Sequence, residues 1–107
     1  MRNKDYIVIL VTASSPQEAD RIASVLLESK VAACVNITGQ IRSLFWWEGK
    51  IDQAQEVLLV IKTKKVLLEE VIRLVKENHS YDVPEVIALP IVGGNQAYLE
   101  WIDSVVG

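Results

Sequence analysis

Two long extended segments, joined by a turn at Glu48-Gly49, restrict the possible folds of this sequence more than any other feature. They run from Ala32 to Lys62, with one bend expected at Gly39. Each arm has about 14 residues, or roughly 46 Å at ~3.3 Å per residue. A compact domain of this chain length has a radius of gyration of only about 13 Å, so the hairpin tip is predicted to project beyond the body.

The projecting tip carries three adjacent aromatic residues, Phe45, Trp46 and Trp47. On a bare two-stranded arm they form an exposed apolar patch, which proteins normally cover with another surface. Hydrophobic residues make up 50% of the 107 residues, and a chain of this size leaves much of its surface exposed. We therefore predict that the chain associates with copies of itself through this hairpin.

Five further segments of strand or helix character flank the hairpin. The first strand is predicted at Tyr6–Thr12 and the last at Glu85–Val92, where Pro90 requires a sheet edge or a bulge. Helices are predicted from an N-cap at Ser15 to about Lys30, from an N-cap at Thr63 to about His79, and after Asn95. This order predicts the α+β class, with a ferredoxin-like βαββαβ antiparallel sheet, helices on one face and a C-terminal helix, in a single domain over residues 1–107.

Charge and composition exclude several classes of partner. The 11 basic and 14 acidic residues give a net charge of −3, which argues against nucleic-acid binding. The longest apolar run, Tyr6 to Val11, is far shorter than the ~20 residues that span a bilayer, so no membrane partner is expected. The single cysteine, Cys34, cannot form an internal disulfide, and this suits the reducing cytoplasm.

Several short blocks along the chain resemble the CutA family, the divalent-cation tolerance proteins. The blocks are Ala33-Cys34-Val35-Asn36, Trp46-Trp47-Glu48-Gly49-Lys50-Ile51, Ile61-Lys62-Thr63, His79-Ser80-Tyr81-Asp82-Val83-Pro84-Glu85-Val86 and Tyr98-Leu99-Glu100-Trp101. In order and spacing they are similar to that family from about Tyr6 to Val105. The resemblance implies a non-enzymatic homotrimer, related in architecture to the PII signalling proteins and linked to tolerance of copper and other divalent ions.

The resemblance and the residue types together suggest a binding site between subunits. Trp47, Lys62, Tyr81, Asp82 and Glu85 are the predicted ligand-binding residues, with Lys62 expected in the same cleft as Glu56 or Asp82. His79 and, less strongly, Cys34 are the predicted metal ligands. No organic cofactor is expected.

Two departures from the family pattern predict that copper or another divalent ion binds only weakly. The metal-binding branch has a cysteine where this chain has Val11 and a second histidine where it has Asn78. Of the three implied copper ligands only His79 remains, and one neutral imidazole is a poor chelator.

Other interpretations remain open from the sequence. His79 at a helix end is compatible with simple capping, Cys34 with an inert packed thiol, and the tryptophans with interface packing alone. A PII-like sensor that binds a nucleotide or metabolite and regulates a partner protein is the main alternative function. A thiol hydrolase built on Cys34, His79 and Asp82 is a further one, whereas acylphosphatase chemistry is disfavoured because residues 12–16 contain no cation.

Overall fold

The computed structural model describes residues 5–107. It contains four strands and three helices in the predicted order, which confirms the ferredoxin-like α+β class. Their bounds are β1 (Tyr6–Ala13), α1 (Pro16–Glu28), β2 (Cys34–Trp47), β3 (Lys50–Lys64), a short 3-10 turn (Lys65–Leu67), α2 (Leu68–Asn78), β4 (Val86–Pro90) and α3 (Gln96–Val105). No helix within residues 5–107 is both long enough and apolar enough to cross a membrane.

The strands form one antiparallel sheet in the order β2-β3-β1-β4. Strand β1 therefore lies inside the sheet. Strand β4 lies at an edge, which is one of the two positions that Pro90 allowed. Along β1 the residues Ile7, Ile9, Val11 and Ala13 are buried and join the core cluster with apolar side chains of α1 and α2. The residues between them face the opposite side of the sheet, because strand side chains alternate.

The start of α1 follows its sequence signals. The hydroxyl of Ser15 accepts a hydrogen bond from the backbone N–H of Glu18 at 3.1 Å, and Pro16 occupies the first helical turn. This is the predicted N-cap with proline at the position where its missing N–H costs nothing. Helix α1 thereby begins directly after β1 and leaves only a short loop, residues 14–15, between them.

The predicted N-cap at Thr63 is wrong. Thr63 lies inside β3, is completely buried, and donates its hydroxyl to the carbonyl of Val31 at 2.6 Å. A threonine just before a helical pattern is typical of an N-cap. Here the side chain of Thr63 is buried and bonded to the Val31 carbonyl instead, so the residue belongs to the sheet. Helix α2 begins later, at Leu68, after the short 3-10 turn.

The hairpin projects as predicted. Strand β1 pairs with β3 only between Val57 and Lys64, so the segment Lys50–Glu56 pairs with β2 alone and forms a two-stranded arm. The described chain measures 47 × 26 × 23 Å and has a radius of gyration of 14.5 Å, above the ~13 Å of a compact chain of this length. The arm accounts for this elongation, because within residues 5–107 no third strand pairs with it.

Candidate ligand-binding cleft

A cleft of about 860 Å³ opens where the arm joins the body of the sheet. Its walls come from the end of β1, the two strands of the arm, and the loop between α2 and β4. The lining residues are Thr12, Ser43, Leu44, Phe45, Trp47, Asp52, Glu56, Tyr81, Asp82, Val83 and Glu85. Four of the predicted site residues, Trp47, Tyr81, Asp82 and Glu85, are thus brought together.

A β-bulge determines which tryptophan faces the cleft. The register passes from Ile37 opposite Leu59 to Gln40 opposite Val57, so β2 carries one extra residue at this point. One extra residue turns every later side chain of the strand to the other face of the sheet. Trp47 therefore shares its face with Glu56 and lines the cleft, whereas Trp46 points away and is 73% exposed.

The bulge is stabilised by a side chain of its own. The hydroxyl of Thr38 accepts a hydrogen bond from the backbone N–H of Leu58 at 3.0 Å, and it donates to the carbonyl of Gly39 at 2.7 Å. The Leu58 N–H faces the interruption in the β2–β3 ladder, where β2 offers no directly opposite partner in the regular register. Thr38 supplies the acceptor that the ladder lacks.

A carboxylate and a phenol meet at the inner end of the cleft. Glu56 is only 7% exposed, and its Oε2 accepts a hydrogen bond from the hydroxyl of Tyr81 at 2.9 Å. Burial raises the pKa of Tyr81 to about 12, with further contributions from the hydrogen bond to Glu56 and from the negative charges of Glu56 and Glu18. The phenol thus stays protonated and keeps its role as donor.

His79 lies beneath the cleft and positions Tyr81. Its side chain is completely buried, its Nε2 lies 2.7 Å from the carbonyl of Thr12, and the backbone N–H of Tyr81 donates to its Nδ1 at 3.0 Å. Because a carbonyl can only accept, the hydrogen-bond network assigns the ring proton to Nε2. Both ring nitrogens are therefore engaged inside the chain, and neither is free for a metal ion.

Glu18 links this loop to the start of α1. Its carboxylate accepts hydrogen bonds from the backbone N–H of Ser14 and of Ser80, each at 2.8 Å, and from the Ser14 hydroxyl at 3.0 Å. Burial by itself raises the pKa of Glu18, but these hydrogen bonds together outweigh it and leave the pKa below the ordinary value of 4.5. Glu18 follows the N-cap Ser15 by three residues, and this spacing gives no sign of the hydrogen bond to Ser80.

Lys62 and Cys34 lie outside the cleft. They face each other across the β2–β3 ladder, and the ammonium of Lys62 donates to the side-chain oxygen of Asn36. Lys62 lies six residues from Glu56 along β3, or about 20 Å away. The prediction that Lys62 shares the cleft with Glu56 or Asp82 is therefore wrong for this chain, because Lys62 is not among the lining residues. Burial and, to a smaller extent, the neighbouring Cys34 raise the pKa of Tyr98.

The predicted metal ligands are not assembled into one site. His79 contacts Thr12, which pairs with Leu58, and Cys34 pairs with Lys62, so the two are separated by about four residues of β3, or ~13 Å. Within residues 5–107, no three histidine, cysteine or acidic side chains are placed to hold one metal ion. The residues present do not fit a closed copper site.

Fold and cleft together define a class: an α+β protein of ferredoxin-like topology with a projecting hairpin arm and an acidic cleft at its root. The chain belongs to the CutA1 family, because residues 7–105 match the family model described as "CutA1 divalent ion tolerance protein". This finding confirms the resemblance based on the short sequence blocks.

Individual relatives agree with this assignment. The chain is 52% identical over 98 residues to "Protein CutA 1, chloroplastic" of Oryza sativa subsp. japonica, covering 92% of this chain and 55% of the rice protein. It is 50% identical over 98 residues to the "Divalent-cation tolerance protein CutA" of Archaeoglobus fulgidus, covering 92% and 95% of the two chains. The chain thus spans about half the length of the plant relatives that it matches.

Solved structures share the fold almost completely. The crystal structure of CutA1 from Oryza sativa has a TM-score of 0.95 at 48% identity and covers 97% of this chain and 95% of its own. The structure of the divalent cation tolerance protein from Thermus thermophilus has a TM-score of 0.94 at 40% identity and covers 95% and 99% of the two chains.

Proposed function

We propose that this chain is a cytoplasmic, non-enzymatic divalent-cation tolerance protein that works as a homotrimer and binds a small ligand in clefts between its subunits. The observation that carries this proposal is the projecting arm. It is two-stranded from Lys50 to Glu56 and bears exposed large apolar side chains on both faces. Those with more than half of their surface exposed are Leu44, Trp46, Trp47 and Ile51.

The arm supports assembly on energetic grounds. An isolated two-stranded hairpin is marginally stable in water, and exposed apolar surface costs roughly 25 cal/mol for each Å² that remains in contact with solvent. Packing of Trp46 and Ile51 against a neighbouring subunit removes this cost and stiffens the arm. The predicted reason for assembly, an arm too long for one body, agrees with the 47 Å extent of the described chain.

The proposal of weak metal binding rests on the donor set. Val11 and Asn78 provide no metal ligand of the kind that the metal-binding branch carries, and His79 uses both of its nitrogens internally. Binding of copper at His79 requires the loss of at least one of these bonds, which opposes tight binding. Cys34, the other predicted ligand, lies too far away to help.

The proposal of a non-enzymatic role rests on the surroundings of the nucleophile candidates. A thiol hydrolase needs Cys34 next to His79. Cys34 pairs with Lys62 of β3, whereas His79 contacts Thr12, which pairs with Leu58, so the two lie about four strand residues, or ~13 Å, apart. The hydroxyls of Ser14 and Ser80 lie near Glu18, but the Nε2 of His79 is directed at a backbone carbonyl and not at either hydroxyl. No activated nucleophile results from this arrangement.

The cleft also bears on the PII-like alternative. Its lining contains Asp52, Glu56, Asp82 and Glu85 and, among the described residues, no lysine or arginine. Nucleotide phosphates are normally held by cationic side chains or by backbone N–H groups at a helix N-terminus. The cleft therefore favours the function of a divalent-cation tolerance protein over that of a PII-like nucleotide sensor.

Light scattering coupled to size-exclusion chromatography tests the assembly. Three chains of 12.0 kDa give an expected mass of about 36 kDa. The double variant Trp46→Lys and Ile51→Lys, which places charges on the arm, is expected to shift the mass towards one chain. The matched variant Val66→Lys alters an exposed valine away from the arm and is expected to leave the mass unchanged. A wild-type protein that remains a monomer at micromolar concentration refutes the proposal.

Calorimetric titration with copper(II) tests the weak-metal proposal. We expect no binding with a dissociation constant below about 1 μM, because a free energy beyond roughly −8 kcal/mol needs more ligands than His79 alone provides. A tight isotherm of one ion per chain that is abolished by His79→Ala overturns it.

A further inference from the structure

The cleft is acidic without compensation. Four of its lining residues are carboxylic acids, Asp52, Glu56, Asp82 and Glu85, and none of the described lining residues is basic. Carboxylates held together on one concave surface repel each other and attract cations from solution. The charge of the lining thus favours a positively charged occupant.

Glu56 gives this charge a defined position. Its side chain is more than nine-tenths buried, yet only its Oε2 has a hydrogen-bond donor, the phenol of Tyr81, within residues 5–107. Its other carboxylate oxygen accepts no hydrogen bond from these residues, and none of the ion pairs among them includes Glu56. A buried carboxylate normally has a charged partner or hydrogen-bond donors on both oxygens. Glu56 has a donor on one oxygen only, and a ligand can supply the second.

The walls of the cleft are aromatic as well as acidic. Phe45, Trp47 and Tyr81 line it beside the carboxylates. The faces of aromatic rings attract cations, and their area also accommodates the hydrocarbon part of an organic ion. A bare metal ion gains little from such walls.

The spacing of the carboxylates favours an organic cation over a metal ion as the ligand. The carboxylates surround a space of about 860 Å³, and no three acidic, histidine or cysteine side chains of the described residues converge on one point. Metal ions need several ligand atoms at about 2–2.6 Å. A molecule with an ammonium group and a short carbon chain instead spans such a space and reaches separated carboxylates.

We propose that the cleft binds a small organic cation, with its ammonium group paired to Glu56 and its hydrocarbon part against Trp47. This deepens the function proposed above, since it rests on the cleft as the ligand site and names the chemical class of the ligand. It depends neither on copper nor on a particular enzyme activity.

Isothermal titration calorimetry with putrescine, a linear diamine, tests the proposal in low-salt buffer at neutral pH, with the uncharged butanediol of the same chain length as control. We expect binding of the diamine, weaker binding at higher salt, and no heat from the diol. Equal binding of the two compounds, or no binding of the diamine, overturns the proposal.

Matched variants locate the site. Glu56→Gln removes the charge at nearly constant size and is expected to weaken diamine binding at least about tenfold. Trp47→Leu is expected to weaken it about twofold to fivefold. Glu69→Gln, which changes an exposed glutamate of α2 outside the cleft, is expected to leave it unchanged. If Glu56→Gln does not fold, Asp82→Asn combined with Glu85→Gln changes two exposed acids instead and must also weaken binding. Unaltered affinity in whichever charge variant folds refutes the assignment.

The outcome separates this inference from the proposed function. Copper(II) titrated into the same protein reports the metal arm, and light scattering reports assembly. A trimer that ignores the diamine contradicts the inference alone, whereas a monomer that binds the diamine contradicts the proposed assembly alone.

Discussion

The phenol of Tyr81 donates a 2.9 Å hydrogen bond to Oε2 of Glu56, a residue that lies 25 positions earlier in the chain. This bond connects the loop after α2 to the base of the arm, and it closes the inner end of the cleft. The two residues come from segments that the sequence gives no reason to pair. Their hydrogen bond holds the loop after α2 against strand β3.

Loss of that bond is expected to destabilise the protein. Tyr81→Phe leaves the buried carboxylate of Glu56 without its phenolic donor, and the expected decrease in the free energy of unfolding is about 1–3 kcal/mol. Urea denaturation at a fixed protein concentration measures it. Tyr6→Phe is the control, because no hydrogen bond of the Tyr6 hydroxyl is present within residues 5–107, and its effect is expected to stay within about 0.5 kcal/mol. Equal stability of Tyr81→Phe and wild type contradicts the prediction.

The raised pKa of Tyr81 predicts a loss of stability at alkaline pH. The phenol has a pKa of about 12 in the folded protein and 10.0 in the unfolded chain, so between these values the folded state holds the proton more tightly. Its contribution is fully present below pH 10 and is lost as the pH rises towards 12. The difference in stability between wild type and Tyr81→Phe is therefore expected to shrink over this interval. A constant difference excludes the link.

Glu18 predicts the opposite behaviour in acid. Its pKa is below 4.5 in the folded protein, so its contribution is present above pH 4.5 and is lost as the pH falls through the folded-state value. Glu18→Gln is expected to cost about 1–3 kcal/mol at neutral pH, because a side-chain amide cannot accept from both Ser14 and Ser80.

Thermal unfolding from neutral to acidic pH measures this effect. The difference in melting temperature between wild type and Glu18→Gln should become smaller as the pH falls. The control variant Glu69→Gln changes an exposed glutamate in the first turn of α2 and should show no comparable gap at any pH. A gap for Glu18→Gln that is independent of pH is the contrary result.

The hydroxyl of Thr38 is expected to protect one particular amide. Thr38→Val removes the acceptor for the Leu58 N–H at the bulge, and hydrogen exchange at this amide should accelerate by about tenfold or more. Thr38→Ser retains the hydroxyl and should preserve the protection. Acceleration spread equally over all of β3 would indicate general destabilisation and count against a local role of this bond.

Much of the fold follows from local patterns. The alternation and length of the hairpin predicted a projecting arm, and the N-cap at Ser15 predicted the start of α1. Pro90 limited the last strand to a sheet edge or a bulge, and the strand lies at an edge. These features depend on neighbours in sequence and on backbone chemistry, so a linear reading captures them. The prediction of an N-cap at Thr63 was wrong because a threonine is typical both of helix caps and of buried strand positions. Only the acceptor of its hydroxyl, the Val31 carbonyl, distinguishes the two.

Of the predicted site, Trp47, Tyr81, Asp82 and Glu85 share the cleft, and Lys62 and Cys34 lie elsewhere. Phe45 and Asp52 were not singled out as ligand-binding residues, and they enter the cleft only through the register of the arm. A single extra residue near Gly39 decides that register, and nothing in the pattern of Trp46-Trp47 shows which ring faces inward.

The sequence by itself determined the order of strands and helices, the reach of the arm and the membership of the CutA1 family, because each depends on residues close together in the chain. Tertiary structure alone decided that Glu18 joins two loops, that both nitrogens of His79 are engaged, and that Glu56 is buried beneath Tyr81. These contacts join residues far apart in sequence. Their geometry arises only when the sheet has brought its loops together at one end.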